Sequence, residues 1–216
     1  LKGTAKGPAP QILIDWRAAN GSNPPPVWET LQNPEKAAIL LALLEEQKFV
    51  CVYCGAAISA AWRSAHIEHF WPNSKFSALR FDWSNLFASC GPPAVTRQPK
   101  TCGDAKGNWV PANHVDPNDP DCERKFAYDG LGQIRPSALG GKSAAIMIDR
   151  LKLDHDSLDY LRGQVISDLE QEIAKGAIDA SNVAAEILSW RETDADGRLR
   201  NFGHVAARYL EDEPIS

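Results

Sequence analysis

Four of the five cysteines in this 216-residue chain fall into two pairs, Cys51 with Cys54 and Cys90 with Cys102. Cys51-x2-Cys54 has the spacing of a metal knuckle, and Gly55 behind it lets backbone amides turn towards a metal-bound sulfur. Cys90 and Cys102 complete a four-thiolate set, the closed tetrahedral arrangement of structural zinc. The eleven residues between them, beginning Gly91-Pro92-Pro93, are read as a loop extruded from the second knuckle. The competing reading is four unrelated buried thiols, since free Cys often serves as a small core hydrophobe. Ligand count and spacing favour the metal. Cys122 has no partner and is read as a plain thiol.

A second cluster lies between the pairs. His66-Ile67-Glu68-His69-Phe70-Trp71-Pro72 carries two of the chain's five histidines around one carboxylate. A carboxylate can hold a hard divalent cation, and an adjacent neutral imidazole can take a proton from water. In a regular strand the period of two puts His66 and Glu68 on one face and His69 on the other. Glu68 and His69 can serve one ion only if the strand bends or ends there, and Pro72 suits a chain leaving a sheet. Asp82-Trp83-Ser84-Asn85-Leu86 then leads into Cys90, and Lys106-Gly107-Asn108 follows Cys102.

These residues need elements to hold them. Residues 1–32 are rich in Pro, Gly and Asn, with Pro24-Pro25-Pro26 as the clearest breaker; Trp16 and Trp28 imply an arm that packs on something. Asn33-Pro34 predicts a helix start, an N-cap followed by Pro, with Ile39, Leu40, Leu43 and Leu44 on one face and an end near Gln47. Phe49 to Val52 predicts a short strand entering the first knuckle. Phe126-Ala127-Tyr128 and Gln133-Ile134-Arg135 flank Asp129-Gly130-Leu131-Gly132, a hairpin signal. Beyond Ser143 the chain turns helical: one segment holds Ile146, Ile148 and Leu151, and a second keeps a helical period through Leu158, Leu161, Val165, Leu169 and Ile173 until Gly176. Val183 to Trp190 and Phe202 to Leu210 supply two more. The outline is a helix, a small ββα-like centre and several helices, an α+β chain.

Composition bounds the rest. Apolar residues make up 44% and charged residues 24%, which excludes bulk disorder. The longest apolar run, Ala37 to Leu44, is far short of the roughly 20 residues a membrane span needs. No secretion signal is visible at Leu1-Lys2-Gly3-Thr4, so a cytoplasmic protein with no disulfide framework and no membrane partner is expected. The net charge of −5 is unevenly spread. Residues 1–50 carry five basic against five acidic groups, residues 51–125 eight against seven, and residues 126–216 ten against sixteen. The middle has no basic footprint for nucleic acid, but it is not acidic either.

In order, Cys51-Val52-Tyr53-Cys54, His66 to Pro72, Asp82 to Cys90, Cys102 and Lys106-Gly107-Asn108 resemble an HNH endonuclease, a ββα-metal (His-Me finger) fold with a zinc-stabilised frame. The closer resemblance is to the PtuB-like nucleases of Septu and retron-associated antiviral defence systems. Leu43 to Gln47 is similar to that group's entry helix, and Leu151-Lys152-Leu153-Asp154 with Leu158 and Arg162 to its later helical element. The resemblance implies a phosphodiester hydrolase with a structural Zn²⁺ at Cys51, Cys54, Cys90 and Cys102 and a catalytic Mg²⁺ or Mn²⁺. It makes His69 the general base, Glu68 a ligand of the catalytic ion, and Asn85 the residue that holds the loop carrying the base. His66 is left between support of that site and plain packing. It implies DNA or RNA as substrate and an SMC/ABC-type (PtuA-like) ATPase as partner subunit, for which the arm's Trp16 and Trp28 would supply aromatic anchors.

The sequence departs from the HNH pattern at one place. A His or Asn usually stands three residues before the Lys, and here that residue is Gly103. Asp104 is the nearest oxygen donor and the first choice for a displaced ligand, with Asn108 and His66 as fallbacks. The expected layout is an arm and entry helix over 1–48, a nuclease core with zinc knuckles over 49–125, and a hairpin with C-terminal helices over 126–216, packed as one domain. The rival to an enzyme is a non-catalytic zinc-stabilised partner-binding module.

Overall fold

The computed structural model describes residues 1–21, 26–61, 64–91, 100–110, 112 and 114–215. Pro24 and Pro25 of the expected breaker, and the loop expected between Cys90 and Cys102 from Pro92 to Pro99, lie outside the described residues. The chain is α+β: two small two-stranded antiparallel sheets set among helices.

The N-terminal arm is more regular than its composition suggests. Helix α1 (Gln11–Asn20) starts behind Pro10 and buries Leu13 and Trp16. Trp16 packs on Phe81 with ring centroids 4.7 Å apart, and Trp28 packs on Phe81 at 5.5 Å and edge-on to His69 at 4.4 Å. The arm therefore packs on the molecule, as its tryptophans imply: Trp16 is buried, and Trp28 is half-buried against the core. Helix α2 (Glu35–Glu46) begins one residue later than expected, with Pro34 rather than Asn33 at the cap, and buries Ile39, Leu43 and Leu44.

The strand expected over 49–52 does not form; only a single bridge joins Val50 to Ala57. Lys48 and Phe49 adopt φ of 55° and 61°, which breaks any extended run. The buried Gln47 side chain takes the ladder's place. Its amide nitrogen donates to the carbonyls of Val50 (2.9 Å) and Ala88 (2.8 Å), and its oxygen accepts from the Ala88 amide (2.7 Å). The edge of the central sheet is thus closed by one side chain and by Val52, whose amide donates to Ala88 at 3.1 Å.

That sheet pairs β1 (Ala65–His69) with β2 (Leu86–Cys90), His66 opposite Ser89 and Glu68 opposite Phe87. Helix α3 (Cys102–Lys106) packs on β2 and on α4 (Gly141–Leu151). The hairpin appears as expected, β3 (Phe126–Tyr128) with β4 (Ile134–Pro136), its turn organised by Asp129, which accepts from the amides of Leu131 and Gln133. Helices α5 (Asp156–Ala174), α6 (Val183–Ser189) and α7 (Gly203–Asp212) complete the chain, and Gly176 follows α5 at φ 71°. The buried face of α5 differs from the expected one. Leu161 is exposed, and Arg162 takes the inward position, satisfied by the carbonyls of Gly132 (2.7 Å) and Leu153 (2.8 Å) and by Asp159.

Candidate functional site

The sulfurs of Cys51, Cys54, Cys90 and Cys102 all lie within 4.8 Å of one another. Zn–S bonds of about 2.3 Å in a tetrahedron place sulfurs about 3.8 Å apart, and Cys54 and Cys90 already stand at 4.0 Å. The donor set fits a structural metal ion such as zinc. Three elements deliver it: the turn after α2, the end of β2, and the first residue of α3. Cys102 takes a left-handed φ of 55°, costly for a non-glycine residue, to bring its sulfur into the cluster. Burial opposes ionisation of Cys51, but the other three thiols and the Cys54 amide hydrogen-bond to its sulfur and hold its pKa well below the usual thiol value. Hydrogen bonds within the same group push Cys102 and Cys90 well above it. Sulfurs packed this closely share protons with one another, and a bound divalent cation would displace those protons and take the sulfurs as thiolates.

Gly55, expected to turn amides onto a sulfur, does something else. At φ 75° its amide donates to the Cys51 carbonyl (2.9 Å), and a β-carbon there would stand 2.1 Å from the His204 ring. Cys122 is a buried free thiol, pushed up to about 11 chiefly by burial.

The second site adjoins the first, reached through Gly103, the residue after Cys102 in α3. An open cleft of about 260 Å³ is lined by His66, Glu68, His69, Gly103, Asp104 and Lys106, with Asn108 at its rim. Glu68 is buried, and its two oxygens have different surroundings. Oε1 accepts from the Tyr53 hydroxyl (3.0 Å) and pairs with Lys106 Nζ (2.7 Å). Oε2 faces His66 Nε2 at 3.7 Å, ion-pair range but too long for a hydrogen bond. Burial opposes ionisation of Glu68, yet His66 and Lys106 outweigh it and hold the carboxyl below its usual range. Burial likewise lowers His66, but the Glu68 and Asp104 charges raise it on balance.

Gly103 explains why this space is open. A β-carbon on it would stand 2.7 Å from Glu68 Oε2, 2.8 Å from His66 Nε2 and 3.0 Å from Ser89 Oγ. Any side chain there would fill the gap between the carboxylate and the imidazole. The carboxylate oxygen and the imidazole nitrogen face each other across that gap, a pair of donors that could share a divalent cation.

Strand β1 ends at His69, so His69 and Glu68 reach the same cleft although they alternate along the strand. His69 Nε2 lies 2.9 Å from the Arg80 carbonyl. A carbonyl only accepts, so Nε2 carries the proton of the neutral ring and Nδ1 is left basic. Burial lowers the pKa of His69, against the pull of the Arg80 carbonyl and of Glu68, so the ring is neutral at neutral pH. Asn85 bridges the loop between the strands: its Oδ1 accepts from the Trp71 amide (2.7 Å) and its Nδ2 donates to the carbonyls of Trp71 and Leu79 (both 3.0 Å). Asp82, whose side chain accepts from Ser84, turns the chain into that position.

Among the described residues, only the four cysteines bring three or more His, Cys, Asp or Glu ligand atoms together. Asp104 lines the cleft without joining His66 and Glu68 in such a group. Sequence reasoning missed the roles of Tyr53 and Lys106. A signal existed for both. Tyr53 sits inside the knuckle, and Lys106 follows Gly103 by one helical turn, on the same face.

No protein-family model and no curated protein matches this chain. The functional reading therefore rests on the site itself. No helix among the described residues is long and apolar enough to cross a membrane.

Proposed function

We propose that this protein is a metal-dependent endonuclease of the HNH type, hydrolysing nucleic-acid phosphodiester bonds. The observation that carries the reading is one cleft holding both a buried carboxylate whose Oε2 faces an imidazole and a histidine whose Nε2 is taken up by a backbone carbonyl. The order strand, Asn-pinned loop, strand, helix is the order of a ββα-metal centre.

In this reading Glu68 Oε2 and His66 Nε2 hold the divalent ion, Mg²⁺ or Mn²⁺, and the space left by Gly103 receives it. When bound, the ion supplies neutralisation of charge on the phosphate and on the departing 3′-oxygen. Nδ1 of His69 takes the proton from the attacking water. The Arg80 carbonyl fixes the ring tautomer, and Asn85 holds the loop from which that carbonyl projects. Lys106 and Tyr53 fix Oε1 so that Oε2 keeps its aim. His66 replaces Asp104 as the favoured second ligand, because it is the imidazole that faces the carboxylate.

On the resemblance to PtuB-like proteins, an antiviral defence role and an SMC/ABC-type ATPase partner belong to the same proposal. Trp16 packs into the arm, while Trp28 keeps part of its ring at the surface. The test is incubation with plasmid DNA and with total RNA in Mg²⁺ or Mn²⁺, with an EDTA control and with the ATPase co-expressed. Metal-dependent cleavage absent from His69→Ala is expected. No cleavage in any of these mixtures would leave the non-catalytic zinc module as the reading.

A further inference from the structure

We propose that a groove beside the cleft is a binding track for single-stranded nucleic acid, a base stacking on Trp109 and backbone phosphates contacting Lys142 and Arg150. The proposal rests on the nuclease reading and extends it to the form of the substrate. The groove encloses about 420 Å³ between the segment after α3 and the outer face of α4, and Trp109, Val110, Lys142, Ile146, Asp149 and Arg150 line it.

Three observations support this occupant. The first is continuity. Gly103, Asp104 and Lys106 to Asn108 contribute to the cleft, and the next residues, Trp109 and Val110, line the groove. The Trp109 amide donates to the Lys106 carbonyl at 3.0 Å, which ties the indole to the helix that carries the site. A chain leaving the reacting phosphate on this side enters the groove directly.

The second is the aromatic. Trp109 is half-buried, packed against the core, yet lines an open groove. An indole fixed in this way is a platform for a base, and stacking on it accepts any base because each has a π face. A base can use it only when unpaired, which selects a single strand.

The third is charge. Lys142 stands about two turns before the adjacent Asp149 and Arg150 in α4, and all three are exposed. The Asp149 carboxylate is met by Lys152 at 3.0 Å and by Arg150 Nε at 3.8 Å, so its charge is compensated. Lys142 has no ion pair among the described residues. The local balance is positive in a part of the chain that is otherwise acidic.

The test is fluorescence anisotropy of a labelled single-stranded DNA, and of RNA of the same sequence, titrated with the full chain carrying His69→Ala. Adding the exposed pair Lys142→Glu and Arg150→Glu is expected to weaken binding about ten-fold or more. It should also flatten the salt dependence, by about 1.4 in log–log slope for two lost phosphate contacts. Adding Trp109→Leu instead, with its fold checked by circular dichroism, should weaken binding about ten-fold. Lys175→Glu, at the C-terminal cap of α5, is the charge control and should change nothing. Binding that is absent in the parent, unchanged in the groove variants, equally lost in the control, or matched by a duplex competitor overturns the track. Cleavage assays separate the two readings. Metal-dependent cutting that ignores the groove variants sinks the track alone, and oligonucleotide binding that needs the groove without any cutting sinks the nuclease alone.

Discussion

Tyr53 donates its hydroxyl across 3.0 Å to Oε1 of Glu68, so a residue held between two knuckle cysteines orients the acid of the cleft. The link is stiff. Tyr53 is fully buried, and burial together with the Glu68 charge raises its pKa well above the usual phenol, keeping it a neutral donor. Cys102 and Gly103, adjacent in α3, face the sulfur cluster and the carboxylate respectively. The cysteine cluster and the cleft are thus two sides of one small frame.

Tyr53→Phe should therefore lower metal-dependent cleavage about ten-fold while leaving zinc content unchanged. A hydrogen bond to a charged group contributes about 1.5–3 kcal/mol, and Lys106 remains on the same oxygen. Parallel measurement of cleavage rate and zinc per chain decides it. Loss of zinc in this variant would show that the hydroxyl supports the frame rather than the acid.

Cys51→Ser should lose zinc and the structure of the centre together. A four-thiolate site has no open position for water, so it stabilises without reacting. Metal analysis of the parent should find close to one zinc per chain. A zinc-free variant with an unchanged circular dichroism spectrum would show that the cluster is four packed thiols.

The cysteine set and the Glu68–His69 pair were legible in the sequence because ligand chemistry is carried by residue type and spacing. The part of Asn85 came only through the resemblance, since an Asn alone reads equally well as a helix cap; in space it ties Trp71 to Leu79. What could not be read was where the chain competes with itself. Gln47 looks like an ordinary helix end, yet its side chain displaces the strand expected over 49–52. Trp16 and Trp28 imply an arm that packs on something, but only the fold shows that the something is Phe81 and His69. Arg162 breaks an apolar period because three partners far apart in the chain, or a turn away, converge on it. Gly103 looked like a missing ligand. In space it is the gap between two that are present.

Stability should fall in acid in two stages. Burial keeps His204 well below the usual imidazole value, so its contribution is present above the unfolded pKa near 6.5 and is lost as pH falls through the lower folded value. Glu123 is buried, which opposes ionisation, but the surrounding charges outweigh burial; Lys2 and Arg191, each at 2.6 Å, are the partners in contact, and the carboxyl is held at about 2. Its folded value is depressed, so that contribution is complete above about 4.5 and fades towards pH 2, on the order of 3 kcal/mol in all. Urea melts of the wild type and of Glu123→Gln across pH 2–7 should show the variant less stable at neutral pH and flatter below pH 4.5. Parallel curves would assign the acid lability elsewhere.

His69→Ala should abolish cleavage and spare the fold. A general base contributes ~10²–10⁴-fold, and the ring's structural contacts are one edge-on contact with Trp28 and the Arg80 carbonyl bond. Cleavage at the wild-type rate by a folded variant would remove His69 from the chemistry.

Lys106→Met tests the ion site without any substrate. Lys106 Nζ is almost wholly buried and is the nearest cation to Glu68, at 2.7 Å. Removing one partner of a buried pair leaves an uncompensated charge and typically costs 3–5 kcal/mol, here about 3 because His66 also faces the carboxylate. Methionine keeps the length and apolar stem, so the loss is of charge rather than of packing. If Glu68 Oε2 and His66 hold a divalent ion, that ion can supply the missing positive charge. Thermal unfolding of the variant should then gain more from added Mg²⁺ or Mn²⁺ than the wild type gains, by the mass action of a ligand that binds only the folded state. The gain should vanish when Glu68→Gln is added to Lys106→Met. A melting temperature of Lys106→Met that ignores both ions would mean that no ion binds beside Glu68, whatever cleavage assays show.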